Sequence, residues 1–328
     1  MKKSPKRADL HVHSCWSHDV PDLRRYQPRA LFEAALGSSD PERRMDFFTL
    51  TDHNTMAGYE NLIRELPESD RRLVIPAVEH TLLDPDIGFS IHTNLYYLDP
   101  DRYATIRMRI RTLPDLAEYC RSEGIYIQYN HPTWWERDEL KQGKVTLWKV
   151  FDAAEYFDVM ELNAGRTQPL NAITRNLALA QNKYLTGASD THTGDIGKAY
   201  TEAPGEDARG FMASIWSGDG QPRTRNMTDD ELLATVHSVI DELFDQRQGV
   251  LIKSTAMDSG NPKLERVAQR VISSRFVMGH RALREPIRSL LKQIARPVVR
   301  NLMEHERQLE NHLRASELRH YVDPTLPA

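Results

Sequence analysis

The stretch "ADLHVHSCWSHDV", residues 8 to 20, concentrates side chains that can bind metals. His11 and His13 stand one residue apart, and His18 and Asp19 follow shortly after. Alternate residues of an extended segment project to the same side, so His11 and His13 can grip one ion from a single strand. An H-x-H pair alone is a weak signal, because most strand-end histidines are merely hydrogen-bonded. Here the pattern recurs along the chain. "TDH" supplies Asp52 and His53, "AVEHT" supplies Glu79, and "SIHTN" supplies His92. Further on, "YNHP" brings His131, "MELNAGR" brings Glu161 and Arg166, and "ASDTHTG" brings Asp190 and His192. Neutral imidazoles with carboxylates suit borderline or hard divalent ions such as Zn, Mn or Fe(II), whereas a closed structural zinc site is usually thiolate-rich. The donors are too numerous for one tetrahedral ion. The expected cofactor is therefore two or three divalent metal ions (Mn, Zn or Fe), with a carboxylate such as Glu79 able to bridge them.

Elements of definite type must bring these groups together. Short apolar runs predict strands over 8–13, 46–51, 73–78, 90–98, 125–129, 159–162 and 184–187, with helical periodicity in most of the gaps. In "PLNAITRNLALAQNKY" the recurrence of Leu170, Ile173, Leu177 and Ala180 gives one face that packs on a sheet. Such alternation favours a parallel α/β sheet or barrel. In a parallel barrel all C-terminal strand ends share one face, so residues distant in sequence converge there. Past "SGDGQPRTRNMT" the texture changes: "TDDELLATVHSVIDELFDQ" opens with a Thr cap and an acidic first turn, then repeats Leu232, Val236, Ile240 and Leu243. The remainder reads as helix broken near Pro262, Pro286 and Pro297. The expected organisation is a barrel over residues 1–225 and an all-helical extension over 226–328.

Composition sets the frame. The 328 residues are 40% hydrophobic and 27% charged with a formal net charge of -4, an ordinary folded chain that is neither disordered nor broadly coated with positive charge. Only Cys15 and Cys120 occur, which excludes a disulfide framework and suits a reducing compartment. No apolar stretch follows the basic start "MKKSPKRADL", and no run is long enough to span a bilayer. The expected location is the cytoplasm.

With "DLHVHSCWS", "FTLTDHNTMAGY", "VIPAVEHT", "IHTNLYYLD", "YNHP", "ELNAGR" and "GASDTHTGDIGKAYTEAPG" arriving in order, the chain resembles the polymerase and histidinol phosphatase (PHP) family over roughly residues 8 to 220. It is most similar to stand-alone bacterial members, through "TDHNT" and "IGKAYTE". The resemblance implies a distorted seven-stranded β/α barrel (PHP-like) with metals at its C-terminal rim, and hydrolysis of phosphate esters. It implies His11, His13, Glu79 and Asp190 around the first metal, with His53, His92, His131 and His192 serving the others. Many members have Ser-Asp after the H-x-H-S. Here Ser17, His18 and Asp19 follow one another, so either His18 or Asp19 occupies the acidic ligand's place, Asp19 being favoured. Asp52 would orient the neighbouring imidazole, and Glu161 would support a ligand from behind.

Such a site would hydrolyse a phosphate ester with a metal-activated water, Asp190 or His192 assisting proton movement. Arg166 is placed for a bidentate phosphate contact and Lys198 is a further cation; Trp134 and Trp135 could stack on a base or sugar. The substrate class is a phosphorylated small molecule or nucleotide. A nuclease on short oligonucleotides and a non-catalytic binding module are the alternatives. Basic residues recur from Lys263 to Arg300 against only Glu265 and Glu285, a patch that could attract an anionic partner. Leu283, Ile287, Leu290, Leu291 and Ile294 would form an apolar face for docking on the barrel or on a second copy as a homo-oligomer.

Overall fold

The computed structural model describes residues 4–135, 137–225, 228–245, 270–271 and 273–315. Strands and helices alternate as β1 (Lys6–Ala8), α1 (Pro28–Leu36), β2 (Phe48–Thr49), α2 (Ala57–Glu65), α3 (Glu68–Arg71), β3 (Val74–Ile75), β4 (Ala77–Leu83) and β5 (Ser90–Tyr96). There follow α4 (Pro100–Arg109), α5 (Leu113–Glu123), β6 (Tyr126–Tyr129), α6 (Arg137–Lys141), α7 (Leu147–Ala154), β7 (Val159–Asn163), α8 (Gln168–Ala180) and β8 (Tyr184–Ala188). The chain continues through β9 (Ala199–Ala203), α9 (Ala208–Ser214), β10 (Gln221–Thr224), α10 (Asp229–Asp245), α11 (Arg275–Gly279) and α12 (Arg281–Arg314).

The architecture is mixed α/β, centred on a five-stranded sheet of order β4-β5-β6-β7-β8. It is flanked by the pair β2-β3 and the antiparallel sheet β1-β9-β10. These ladders do not close into a seven-stranded barrel. Val12 bridges Thr191, His53 bridges Glu79, and the Thr51 amide donates to Val12 (2.9 Å), so single contacts span the gaps between sheets. The expected strand through His11 and His13 is reduced to such a bridge because side chains take its amides. Val12 N–H donates to Thr51 Oγ1 (3.0 Å) and Ser14 N–H to Asp52 Oδ1 (2.6 Å).

The sheet is also not purely parallel. β5 runs antiparallel to both β4 and β6, whereas β6-β7 and β7-β8 are parallel. No crossover helix fits between β4 and β5; a tight turn joins them, Asp84 accepting from the Asp86 and Ile87 amides and Gly88 adopting φ 81°. His92 therefore reaches the site from the beginning of its strand, not the end. The linking helices follow their sequence signals. Thr112 caps α5 and Gly124 ends it with φ 65°, while α8 buries Leu170, Ile173 and Leu177 against the sheet.

Helix α12 runs unbroken through Pro286 and Pro297, contrary to the expected breaks; Pro262 lies outside the described residues. Each proline deletes one backbone bond, and near the second His237 donates to the Lys292 carbonyl (3.0 Å). Tertiary packing holds the helix together. Leu291, with Ile287 and Ile294, joins Cys15, Val20, Leu23 and Tyr26 in one apolar cluster, and Leu309 and Leu313 enter the main core. Leu283 and Leu290 stay exposed. Arg288 and Lys292 pair with Asp241 of α10 (2.6 Å each), and Arg288 also with Asp245 (2.9 Å). Arg281, Arg296 and Arg300 remain exposed; Lys263 and Arg266 fall outside the described residues. No described helix is long and apolar enough to cross a membrane.

Candidate metal centre

Residues from six separate segments meet around one carboxylate, Glu79 of β4, which is fully buried. Its Oε2 lies 2.8 Å from His53 Nδ1, 3.2 Å from His11 Nε2 and 3.4 Å from His13 Nε2. Its Oε1 lies 3.2 Å from His92 Nδ1 and 3.5 Å from His131 Nε2. Asp190 Oδ1 closes the other side at 3.4 Å from His11 Nε2 and 3.3 Å from His13 Nε2. Asp19 Oδ2 bridges His53 Nε2 (3.2 Å) and His192 Nε2 (2.9 Å). Of the two residues left open by the sequence, Asp19 joins the cluster, while His18 is exposed with its ring 4.9 Å from that of His53.

The surroundings hold these groups in place. Glu79 Oε1 accepts from Asn130 Nδ2 (3.0 Å), which is itself fixed by Asn94 and Gln128. His11 Nδ1 faces Glu161 Oε1 at 2.8 Å, and Glu161 Oε2 accepts the His131 amide (3.0 Å). Glu161 thus supports two imidazole segments from behind, as the sequence suggested. Asp52 differs. It holds Ser14 through the amide (2.6 Å) and hydroxyl (2.8 Å) and shapes the turn after His13, while the ring nitrogens of His53 face Glu79 and Asp19. The imidazole-orienting role expected of Asp52 is therefore corrected: its oxygens are taken by Ser14 before they can reach the ring.

Several supporting residues were not picked out from the sequence. Asp9 accepts the Ser189 (2.9 Å) and Gly197 (3.1 Å) amides, tying down the loop that carries Asp190. Asn163 donates to Asp190 Oδ2 (3.0 Å), and Ser17 Oγ contacts His13 Nδ1 (3.2 Å) while accepting the His53 amide (3.1 Å). Asn163 lies inside the motif "ELNAGR" and Ser17 just before His18 and Asp19, so proximity to the ligand-type residues was the available signal. Backbone strain sits here too: His131 (φ 27°) and Asp190 (φ 52°) both adopt the left-handed region, which costs a non-glycine residue roughly 1–3 kcal/mol.

The clustered imidazoles and carboxylates perturb one another strongly. Burial opposes the protonation of His11, yet Glu161, Asp190 and Glu79 outweigh it and push its pKa well above the imidazole range. His53 is likewise raised: burial is overcome by Glu79 and Asp19. Burial, with His192 and His53 as positive neighbours, instead drives His13 down to about 3. Burial works against the ionisation of Glu79 and Asp190, but the imidazoles, His53 and His11 foremost for Glu79 and His11 for Asp190, hold both well below the carboxylate range. Buried in the same place, and making no aligned hydrogen bond despite these short distances, are His11 Nε2, His13 Nε2, His53 Nδ1, His92 Nδ1, Asp19 Oδ1 and Glu79 Oε2. Orphaned polar atoms in a protein interior are costly. Donor atoms of His11, His13 and Glu79, of His53, Glu79 and His92, of His13, His53 and His192, and of His11, His131 and Glu161 form groups lying within 4.8 Å of one another. Imidazoles and carboxylates converging without thiolates fit divalent metal ions.

Of the expected substrate contacts, two reach this centre. Arg166 Nη2 lies 3.5 Å from Asp190 Oδ2, and its guanidinium lies 4.8 Å from the centroid of the Trp134 ring, which also flanks His131 and His92. Trp135 turns inward, 2% exposed, against Phe89. Lys198 pairs with Asp195 (2.8 Å) in the loop after His192.

No protein-family model matches the chain, and no curated protein matches its sequence. Solved structures do. PsfC from Pseudomonas syringae PB-5123 matches over 71% of this chain and 97% of its own, at 18% identity and a TM-score of 0.50. A two-domain protein from Bacteroides vulgatus described as containing a predicted PHP-like metal-dependent phosphoesterase matches over 71% and 69%, at 17% identity and a TM-score of 0.46. An amidohydrolase from Chromobacterium violaceum with bound sulfate and no metal matches over 58% and 89%, at 13% identity and a TM-score of 0.40. What the chain shares with the first of these is a fold.

Proposed function

We propose that the chain is a PHP-type metal-dependent phosphoesterase that hydrolyses a phosphate ester of a small molecule or nucleotide. The observation that carries this reading is the convergence of His11, His13, His53, His92 and His131 on Glu79, with Asp19, Asp190 and His192 closing the cluster around them. In this reading these residues hold two or three divalent ions. When bound, the ions lower the pKa of water and neutralise charge on the transferring phosphoryl group.

The chain's own residues do the rest. Glu79, shared by two of the donor groups, would help hold the ions together with the imidazoles around it. His192, 32% exposed at its side chain, is the most open of the clustered imidazoles and is held by Asp19, so it can pass a proton between the site and solvent. Asp190, kept ionised by the imidazoles around it, would hold the ions from the opposite side and keep Arg166 nearby. Arg166 would bind a phosphate oxygen, and Trp134 beside it would cover one face of the leaving group. Lys198, engaged with Asp195, would act at most through the loop that carries His192.

The test is purification with Mn or Zn, followed by a screen of mononucleotides, sugar phosphates and short single strands for release of phosphate or nucleotide. The reading expects phosphate release from monoesters, abolished in His11→Ala and Asp190→Ala. Undiminished turnover in either variant would reject it, and release of nucleotides from strands alone would favour a nuclease.

A further inference from the structure

Helix α12 belongs by sequence to the helical C-terminal part, yet its last turns reach the proposed active site. Glu306 is 2% exposed, and its Oε1 accepts from Arg166 Nη1 at 2.9 Å. Its Oε2 accepts the Thr167 amide (3.4 Å) at the start of α8, where the helix dipole favours a carboxylate. The helix is anchored on both sides of this contact. His305 Nε2 donates to the Trp135 carbonyl (3.0 Å), His312 Nε2 donates to the Val145 carbonyl (3.1 Å), and Leu309 and Leu313 are buried in the main core.

Arg166 is thereby held on three sides. Glu306 takes Nη1, Asp190 stands 3.5 Å from Nη2, and Trp134 covers one face of the guanidinium. Its Nε is buried without a hydrogen-bond partner. Arginine's fork is useful for phosphate only when its orientation is fixed, because five donors on a long side chain otherwise sample many geometries. A buried carboxylate on one arm selects a single rotamer and leaves Nε, with Nη2 only loosely held by Asp190, for an incoming anion.

We propose that Glu306 is a positioning residue of the phosphate subsite, so that helix α12 forms part of the active site and is no mere appendage. The inference rests on the phosphoesterase reading for its choice of anion. Glu306 touches no reacting atom; it acts through Arg166.

The experiment uses the full chain loaded with Mn, with inorganic phosphate as the probe, its affinity measured by calorimetry and by competitive inhibition of aryl phosphate hydrolysis. Glu306→Ala is expected to weaken phosphate binding and raise KM by about tenfold to a hundredfold, the range a hydrogen bond to a charged group covers, with a smaller change in kcat. Glu306→Gln, which keeps an acceptor for Nη1, is expected to retain most of the affinity. Adding Glu306→Ala to Arg166→Ala should cost nothing further. Unchanged phosphate affinity in Glu306→Ala would overturn the proposal, as would full additivity with Arg166→Ala. So would a fall in bound Mn at unchanged phosphate affinity, which would mean that the pair serves Asp190 instead. Glu306→Gln guards against a loss caused by misfolding alone. A protein that binds phosphate through Arg166 but hydrolyses no ester would remove the phosphoesterase reading and leave this one standing.

Discussion

Replacing Gly58 by alanine tests whether the turn after His13 is set by Asp52. Gly58 is the second residue of α2, and a Cβ built there would stand 2.0 Å from Asp52 Oδ2 and 2.8 Å from Ser14 Oγ. Helix propensity alone favours the change by up to about 1 kcal/mol. Against that gain, forcing an extra carbon into a packed interior costs about 1–3 kcal/mol. Asp52 is 1% exposed, and moving it away from the new carbon would loosen its bonds to the Ser14 amide and hydroxyl, each worth about 1.5–3 kcal/mol when charge-assisted. Sterics win. The expected net loss is about 2–5 kcal/mol, read from urea unfolding of the metal-stripped protein. Metal affinity should fall as well, because Ser17 in the same turn contacts both His13 and the His53 amide. Pairing Gly58→Ala with Asp52→Ala should recover part of the loss by opening the space. A variant as stable as the parent would refute the reasoning.

Three further outcomes are expected. Because His11, His53 and His192 are held protonated above the usual imidazole range, chiefly by neighbouring carboxylates that outweigh burial, they must lose protons to become ligands. Metal affinity should therefore rise as pH increases through 6.5 and beyond, and calorimetric titrations with Mn in buffers of different ionisation enthalpy should report proton release; buffer-independent heats would contradict this. Leu313→Ala should cost about 2–5 kcal/mol in urea unfolding, since the side chain is fully buried in the main core, whereas a loss under about 1 kcal/mol would mean that the end of α12 is not docked. Trp135→Phe should destabilise the fold while leaving KM unchanged, whereas Trp134→Ala should raise KM; equal effects on KM would erase the distinction drawn between the two rings.

The ligand-type residues were legible because each stands in a short motif beside an apolar run, and chemistry narrows the choice of side chain that such a site tolerates. His131 and Asp190 lie just past the ends of β6 and β8, as their strand positions implied, whereas Glu79 sits inside β4 and His11 and His53 lie outside the ladders, yet all five meet. Strand direction was less legible. The period of an apolar run is the same in parallel and antiparallel sheets, and only the short turn at Asp84 and Gly88 betrays the reversal that carries His92 to the rim from the other end. β10 was hidden by its composition, since "QPRT" reads as a linker; as an edge strand pairing only β9 it tolerates Pro222. Breaks at Pro286 and Pro297 followed from local propensity, which packing along α12 overrides. Glu306 carried no local signal at all, because its role arises only when two distant helices meet.

The central claim is that this cluster exists to hold divalent ions. Elemental analysis of protein purified with Mn and Zn supplied tests it most directly. The account predicts two or three ions per chain, with most of them lost in Glu79→Gln, a variant that keeps the shape of the side chain while removing the charge at the centre of the cage. A protein that takes up no metal under these conditions, or one whose metal content is the same with glutamine at position 79, would contradict it.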